Sequence, residues 1–89
     1  MQIEFTVHIW KEGNQFIAHA MPLDVASSGT TAEEARRALD EAVRLFVATA
    51  TAHGSLNEVL DEAGYALKNG QWQAPAWVSV ERGAAIVTG

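Results

Sequence analysis

Three histidines are the residues of this chain best suited to metal binding or general-base catalysis. They are His8, His19 and His53. In the hairpin predicted below, His8 and His19 share the outer face of a sheet as diagonal neighbours, and a register shift of two residues would place them directly opposite each other. A catalytic zinc ion normally takes three protein ligands, and His53 falls near the far end of the predicted long helix. We therefore predict no metal site and no cofactor, and keep a metal-dependent hydrolase using His8 and His19 as an alternative.

The other polar residues fit structural roles better than catalytic ones. Four carboxylates lie on the surface of the predicted long helix: Glu33, Glu34, Asp40 and Glu41. Nothing in the sequence indicates the burial or the charged neighbour by which a carboxyl pKa is tuned for catalysis. The hydroxyl residues from Ser27 to Thr31 are typical of a turn and a helix cap, and no histidine is predicted close enough to activate them. We predict that the chain has no catalytic residues and is not an enzyme.

The N-terminal third alternates between apolar and polar residues, which is the pattern of strands with one buried face. In residues 2–10 the apolar parity comprises Ile3, Phe5, Val7 and Ile9. A turn centred on Glu12 and Gly13 would place the apolar residues of a return strand, Phe16, Ala18 and Ala20, opposite Ile9, Val7 and Phe5. A shorter third strand is predicted at residues 23–27.

A long helix is predicted to follow these strands. Two overlapping capping boxes, Thr30 with Glu33 and Thr31 with Glu34, indicate where it begins. Its apolar stripe comprises Ala35, Leu39, Ala42, Phe46 and Ala50. Gly54 is placed to end the helix as a left-handed cap. The charged residues lie mostly off the stripe, which indicates a solvated helix face.

The C-terminal third is predicted to hold a short helix, a hairpin and a final strand. The sequence SLNE, from Ser55 to Glu58, predicts a capping box for the short helix. The dipeptide Asn69-Gly70 is a strong type I′ turn signal and would set Leu67 opposite Trp72. Residues 77–87 indicate a last strand interrupted by a glycine.

Length and charge limit what the chain can be. Eighty-nine residues, 48% of them hydrophobic, indicate one α+β domain, 1–89, with a β-β-β-α core at 1–53 and the remaining elements at 54–89. Six basic and eleven acidic residues give a net charge of -5, which argues against direct binding of nucleic acid. The N-terminus alternates in polarity, unlike a signal peptide or a membrane span, and the chain has no cysteine. We therefore predict a cytoplasmic protein.

The outer parity of the first hairpin is more apolar than a solvated face requires. It carries His8, Trp10, Ile17, His19 and Met21. Because one layer of helix covers only the other face, something else should cover this one. The candidates are the chain's own C-terminal segment with its tryptophans, a second copy of the chain, or a different protein. We predict these five residues as a partner or dimer interface, and we expect a homo-oligomer, because small chains gain core by pairing.

The stretch LDVASSGTTAEEARRALDEAVRLF resembles the HicB-like antitoxin family. The family pattern is a hairpin, a third strand, a Ser-x-Gly-x-Thr hinge and a helix opening with Glu-Glu-Ala. The matching residues are Ser27, Gly29, Thr31, Glu33, Glu34 and Ala35, followed by Glu41 and Ala42. The resemblance covers residues 1 to about 50, and the later segments LDEAGY and GQWQAP look like the tail of short, stand-alone members.

This resemblance implies a partial ribonuclease-H-like β-β-β-α(-α)-β fold without ribonuclease catalysis. It also implies a small, basic HicA-type messenger-RNA interferase as the partner. The chain departs from the usual pattern in having PLDVAS in place of a Pro-Gly-Cys-like element, and we expect it to lack the C-terminal DNA-reading domain that many members carry. We therefore expect a non-catalytic binding module, with a solitary structural homo-oligomer of the same fold as the alternative.

Overall fold

The computed structural model describes residues 2–89 and has an α+β architecture. Its elements, in chain order, are β1 (Thr6–Glu12), β2 (Gln15–Met21), β3 (Val25–Gly29), α1 (Ala32–Ala52), α2 (Leu56–Glu62), β4 (Ala66–Lys68) and β5 (Gln71–Gln73). Strands β1, β2 and β3 form an antiparallel sheet in that order, and β4 pairs with β5 in a separate small sheet. Helix α1 packs on one face of the larger sheet, here called the inner face. The α+β fold class, with one long helix on one face of an antiparallel sheet, is confirmed.

The turn of the first hairpin lies one residue later than the sequence predicted, which shifts the pairing of the two strands by two residues. Glu12 pairs with Gln15, so the turn is centred on Gly13 and Asn14 and not on Glu12 and Gly13. Gly13 has a φ of 62°, and a two-residue turn of type II′ places glycine at its first central position. A turn centred one residue earlier would force a positive φ onto Glu12. Because the register differs by an even number of residues, every side chain still lies on its predicted face.

Small residues on the inner face allow α1 to approach the sheet closely. Ala18 and Ala20 are fully buried beneath the helix, as are Ala35 and Leu39 on the helix itself. A Cβ atom added to Gly29 would lie 2.7 Å from the backbone nitrogen of Ala35, closer than real Cβ contacts. Glycine is therefore required at the point where β3 passes under the first turn of α1.

The predicted apolar stripe of α1 is largely correct, but one of its deeply buried residues differs from the prediction. The buried residues of α1 are Ala35, Leu39, Val43 and Ala50. Val43 takes the deeply buried place that the spacing gave to Ala42, while Ala42 and Phe46 are half-buried. This difference reflects a modest rotation of the helix, which also gives the larger aliphatic side chain to the core.

Thr31 of the second predicted capping box is the N-cap of α1, but the Glu34 carboxylate bonds to Thr30 in place of the predicted Thr31 backbone N–H. The Thr31 hydroxyl accepts a hydrogen bond from the backbone N–H of Glu34 at 3.0 Å. The Glu34 carboxylate accepts bonds from the Thr30 backbone N–H at 3.0 Å and from the Thr30 hydroxyl. These bonds, above all the one from the Thr30 hydroxyl, lower the pKa of Glu34 below its usual value of 4.5.

Glu34 is expected to contribute to the acid sensitivity of folding. Because its pKa is lower in the folded chain, its contribution is fully present above about pH 4.5 and is lost as the pH falls through the folded-state pKa. Glu34→Gln should therefore destabilise the protein at neutral pH, and the difference from wild type should shrink in acid. Chemical denaturation at neutral pH and at about pH 3 measures this, with Glu33→Gln as the matched control. A difference that is the same at both pH values would contradict the assignment.

The C-terminal half is joined to the N-terminus around Trp72. In β4 and β5 the turn residues Asn69 and Gly70 have φ values of 52° and 74°, as a type I′ turn requires, and Leu67 lies opposite Trp72 as predicted. Trp72 is 7% exposed and forms a parallel bridge with Ile3. The contact between the N- and C-terminal segments is therefore made beside the start of β1.

Tyr65 ties the same two segments together. Its hydroxyl donates a hydrogen bond to the backbone carbonyl of Glu4. Burial, with a smaller contribution from the Glu4 carboxylate, raises the pKa of Tyr65 above 10.0. The tyrosine therefore stays protonated and remains a donor at neutral pH.

Four local predictions are wrong. Ser55 forms no side-chain cap for α2; its hydroxyl instead donates to the Ala50 carbonyl at the end of α1 at 3.3 Å. Strand β1 begins at Thr6 rather than residue 2, because residues 2–4 run beside β5, and the third strand lies at Val25–Gly29 rather than 23–27. Residues 77–87 form no strand. Pro75 has no N–H to donate, so β5 cannot continue in register past it.

Neither helix within residues 2–89 combines the length and the apolar character needed to cross a membrane.

Candidate protein-binding face

The face of the sheet opposite α1, here called the outer face, is ordered by the register of the three strands. One row places Trp10 of β1 beside Ile17 of β2 and Ser28 of β3. The next row places His8, His19 and Ala26 side by side, and Thr6 pairs with Met21 beyond it. The β3 positions of these two rows, Ala26 and Ser28, therefore carry the smallest side chains.

The five residues predicted as an interface all lie on this face. They are His8, Trp10, Ile17, His19 and Met21. Trp10 is 43% exposed and the other four are half-buried. That a partner covers these residues remains a prediction. The alternation of side chains along the strands was sufficient to place them on the same face.

His8 and His19 lie directly opposite each other, not diagonally as the predicted turn required. The Nε2 atom of His19 lies 2.6 Å from Oδ1 of Asp24. Asp24 reaches it from the turn after β2, where its backbone has a φ of 61° and its N–H donates to the Ala20 carbonyl at 2.8 Å. Trp10 packs edge-on against His19 with ring centroids 6.2 Å apart. The imidazole is thus oriented from both sides.

The chain's own C-terminal segment covers one end of the outer face. The indole Nε1 of Trp77 donates to the Thr6 hydroxyl at 2.7 Å, and its ring meets His8 edge-on at 6.0 Å between centroids. An apolar pocket lies beside this contact, between Trp77 and the Met21–Pro22 bend. Trp72, the other tryptophan considered for this role, belongs to the core instead. The cover stops short of Trp10.

Beyond Trp77 the chain leaves the body of the protein. Residues 78–87, here called the C-terminal arm, have no helix or strand and are exposed throughout. The exposed fractions of the large apolar side chains are 99% for Val78, 68% for Val80, 91% for Ile86 and 95% for Val87. The sequence predicts a strand in this region because the apolar residues of the arm resemble those of a buried strand.

The polar groups of the outer face are suited to recognition by hydrogen bonding. Within residues 2–89, no three histidine or carboxylate side chains are arranged to hold a metal ion. His8, His19 and Asp24 present ring nitrogens and carboxylate oxygens at the border of an apolar surface. Such a surface, with polar groups around exposed aromatic residues, has the composition of a protein interface.

A second apolar area lies on the side of the helix start. Ile9, which is 41% exposed, and Ala32 line a shallow depression with the side chains of Arg36 and Arg37. Arg36 also forms an ion pair with Asp40 and lies over the ring of Phe5, 6.0 Å from its centroid. The stems of the two arginines line this depression, and their charged heads border it.

Comparisons with protein-family models, with curated proteins and with solved structures gave no match for this chain.

Proposed function

We propose that the chain is a non-catalytic protein-binding module of the HicB-antitoxin type, with a small, basic HicA-type messenger-RNA interferase as its cytoplasmic partner. The observation that carries this proposal is the outer face, where Trp10 stands 43% exposed among half-buried apolar residues. Tryptophan is enriched at the energetic centres of protein interfaces. An open apolar sheet face with an exposed tryptophan is typical of a surface that another protein covers.

The residues that carry the HicB-like resemblance have definite roles in this fold. Gly29 leaves the space in which α1 meets β3, and Thr31 and Glu34 begin the helix. The β-β-β-α order and the helix on one face agree with the fold that the resemblance implies. The resemblance is thus supported by the way the motif folds.

Charge favours a basic partner. The chain has a net charge of -5, from six basic and eleven acidic residues. Complementary charges accelerate association and select among partners more than they add to affinity. A small basic protein would be drawn to this chain, and the apolar outer face would then provide the buried contact.

Coexpression with the protein encoded by the adjacent open reading frame tests the proposal. We expect a small basic neighbour that arrests growth alone and forms a stoichiometric complex with this chain, which relieves the arrest. Trp10→Asp should abolish both effects. Leu45→Asp, at a 59% exposed site on α1, should change neither. Separate elution of the two wild-type proteins, or a neighbour that is not a small basic protein, would overturn the toxin-binding function.

The second candidate is a structural homo-oligomer of the same fold without a toxin partner. The C-terminal arm favours it, because apolar side chains more than 90% exposed gain most from a second protein surface. Light scattering at micromolar concentration separates the two candidates. A mass of 9.6 kDa for the isolated chain would exclude the homo-oligomer.

A further inference from the structure

We propose that the C-terminal arm of one copy lies on the outer face of a second copy, in a reciprocal two-fold dimer. The inference shares with the proposed function only the premise that the outer face binds protein. It differs in naming the occupant, which is residues 78–87 of an identical chain.

The arm lies outside the compact part of its own monomer. The radius of gyration is 15.4 Å, whereas a compact domain of this length is expected to have about 12 Å. The longest dimension, 46 Å, is twice the shortest, 23 Å. The arm places Val78, Ile86 and Val87 almost wholly in water, where apolar side chains are least favourable.

The sequence of the arm gives it one apolar side. Successive side chains of an extended segment point to opposite sides. Val78, Val80 and Ile86 share one parity, and Val87 has the other. An extended arm can therefore place three of its four large apolar side chains on a single sheet face.

The arm starts in the right place for this arrangement. Trp77, its first neighbour, is held on the outer side of the sheet by Thr6 and His8. Ten extended residues span about 33 Å, and the seven residues of β1 span about 23 Å, so the arm can cross the whole sheet of a second copy.

The receiving surface also suits an arm. The two rows that reach β3 end in the small side chains Ala26 and Ser28, which are exposed. These small residues leave room beside Trp10 and Ile17 for a chain segment. The arm has one acidic and one basic residue, Glu81 and Arg82, so it brings no net charge to a protein that already carries -5. Burial of the arm adds no charge repulsion between copies.

Two reciprocal arms give an interface of adequate size. A stable protein interface takes about 20 to 30 residues from each partner. Each copy supplies the ten residues of the arm and the eight outer-facing positions already described, together with the chain around Trp77. A single arm on a single sheet would provide only part of that area.

Cysteine cross-linking tests the arrangement directly, because the chain has no cysteine of its own. Full-length Ser28→Cys and Ile86→Cys chains, made separately and mixed under mild oxidation, should form a disulfide between position 28 of one chain and position 86 of the other. Peptide mass spectrometry identifies this link. Mixing Leu45→Cys with Ile86→Cys provides the control, and we expect several-fold less product from that pair.

The solution mass provides the second measurement. The wild-type protein should have about twice the 9.6 kDa mass of one chain, and the full-length double variant Val80→Asp/Ile86→Asp should have the single-chain mass. Because both side chains are exposed in the monomer, these changes leave its core intact. A monomeric wild type overturns the inference, as does a 28–86 disulfide that forms only within single chains of a double-cysteine variant. Loss of dimer with retained binding of the basic neighbour would separate this inference from the proposed function.

Discussion

Trp72→Ala is expected to lower the free energy of unfolding by about 3 to 5 kcal/mol, the usual cost of removing a large aromatic side chain from a core. Trp72 is only 7% exposed, and its strand bridges Ile3 beside the start of β1. The substitution would leave a cavity where the C-terminal hairpin meets the N-terminal segment. Single domains are stable by only about 5 to 15 kcal/mol, so this loss is a large fraction of the total.

Urea denaturation followed by circular dichroism measures the effect, and Trp77→Ala is its matched control. Trp77 is 52% exposed and has one hydrogen bond, to Thr6. Its removal should cost about 1 kcal/mol in the isolated chain. Equal losses from the two tryptophans would contradict the assignment of Trp72 to the core and Trp77 to the surface.

Leu39→Ala is expected to lower the free energy of unfolding by about 2 to 5 kcal/mol. Leu39 is fully buried in the middle of the α1 stripe. The alanines of β2 that face it are too small to fill the cavity, and Gly29 already brings the helix and sheet as close as their backbones allow. The cost should therefore fall in the upper part of that range.

Leu45→Ala is the control for this prediction, because it makes the same chemical change on the opposite side of α1. Leu45 is 59% exposed, and exposed substitutions usually change stability by no more than about 0.5 kcal/mol. Both variants should be measured by denaturation at low protein concentration, where association contributes least. A loss at Leu45 as large as that at Leu39 would contradict the orientation of the helix.

The elements of this fold can be predicted from the sequence where interactions between neighbouring residues determine them. Parity assigned each strand residue to its face even though the first turn was placed wrongly, because an error of two residues preserves parity. The cap at Thr31 and the turn at Asn69 and Gly70 follow from side-chain and backbone preferences within four residues. Such features depend little on the rest of the chain.

Features that depend on distant contacts were not predictable in the same way. Residues 2–4 are not part of the first strand because Trp72, which is distant in sequence, provides the pairing partner of Ile3. Residues 77–87 have the composition of a strand, but Pro75 has no N–H with which the pairing of β5 could continue towards them. Ser55 forms no side-chain cap because its backbone, with a ψ of 4°, is not in the extended conformation typical of an N-cap.

The candidate site was predictable as a surface but not in its details. Alternation alone placed Trp10 with Ile17 and His19 on one face. The bond from His19 to Asp24 requires the particular turn after β2, and the contact of Trp77 with His8 spans most of the chain length. These contacts determine how much of the outer face stays open, and that is the property on which binding depends.

The central claim is that the outer face is a protein-binding surface. The Trp10→Ala variant tests it most directly. Light scattering and thermal melting should be measured across a range of protein concentrations. Trp10 is 43% exposed and lies beyond the reach of the Trp77 cover, so its removal should little affect the monomer. We expect the wild type to be associated at micromolar concentration, and the variant to have a lower mass and a melting temperature that depends less on concentration. A melting temperature that falls sharply and equally at all concentrations, with unchanged molecular mass, would contradict this claim.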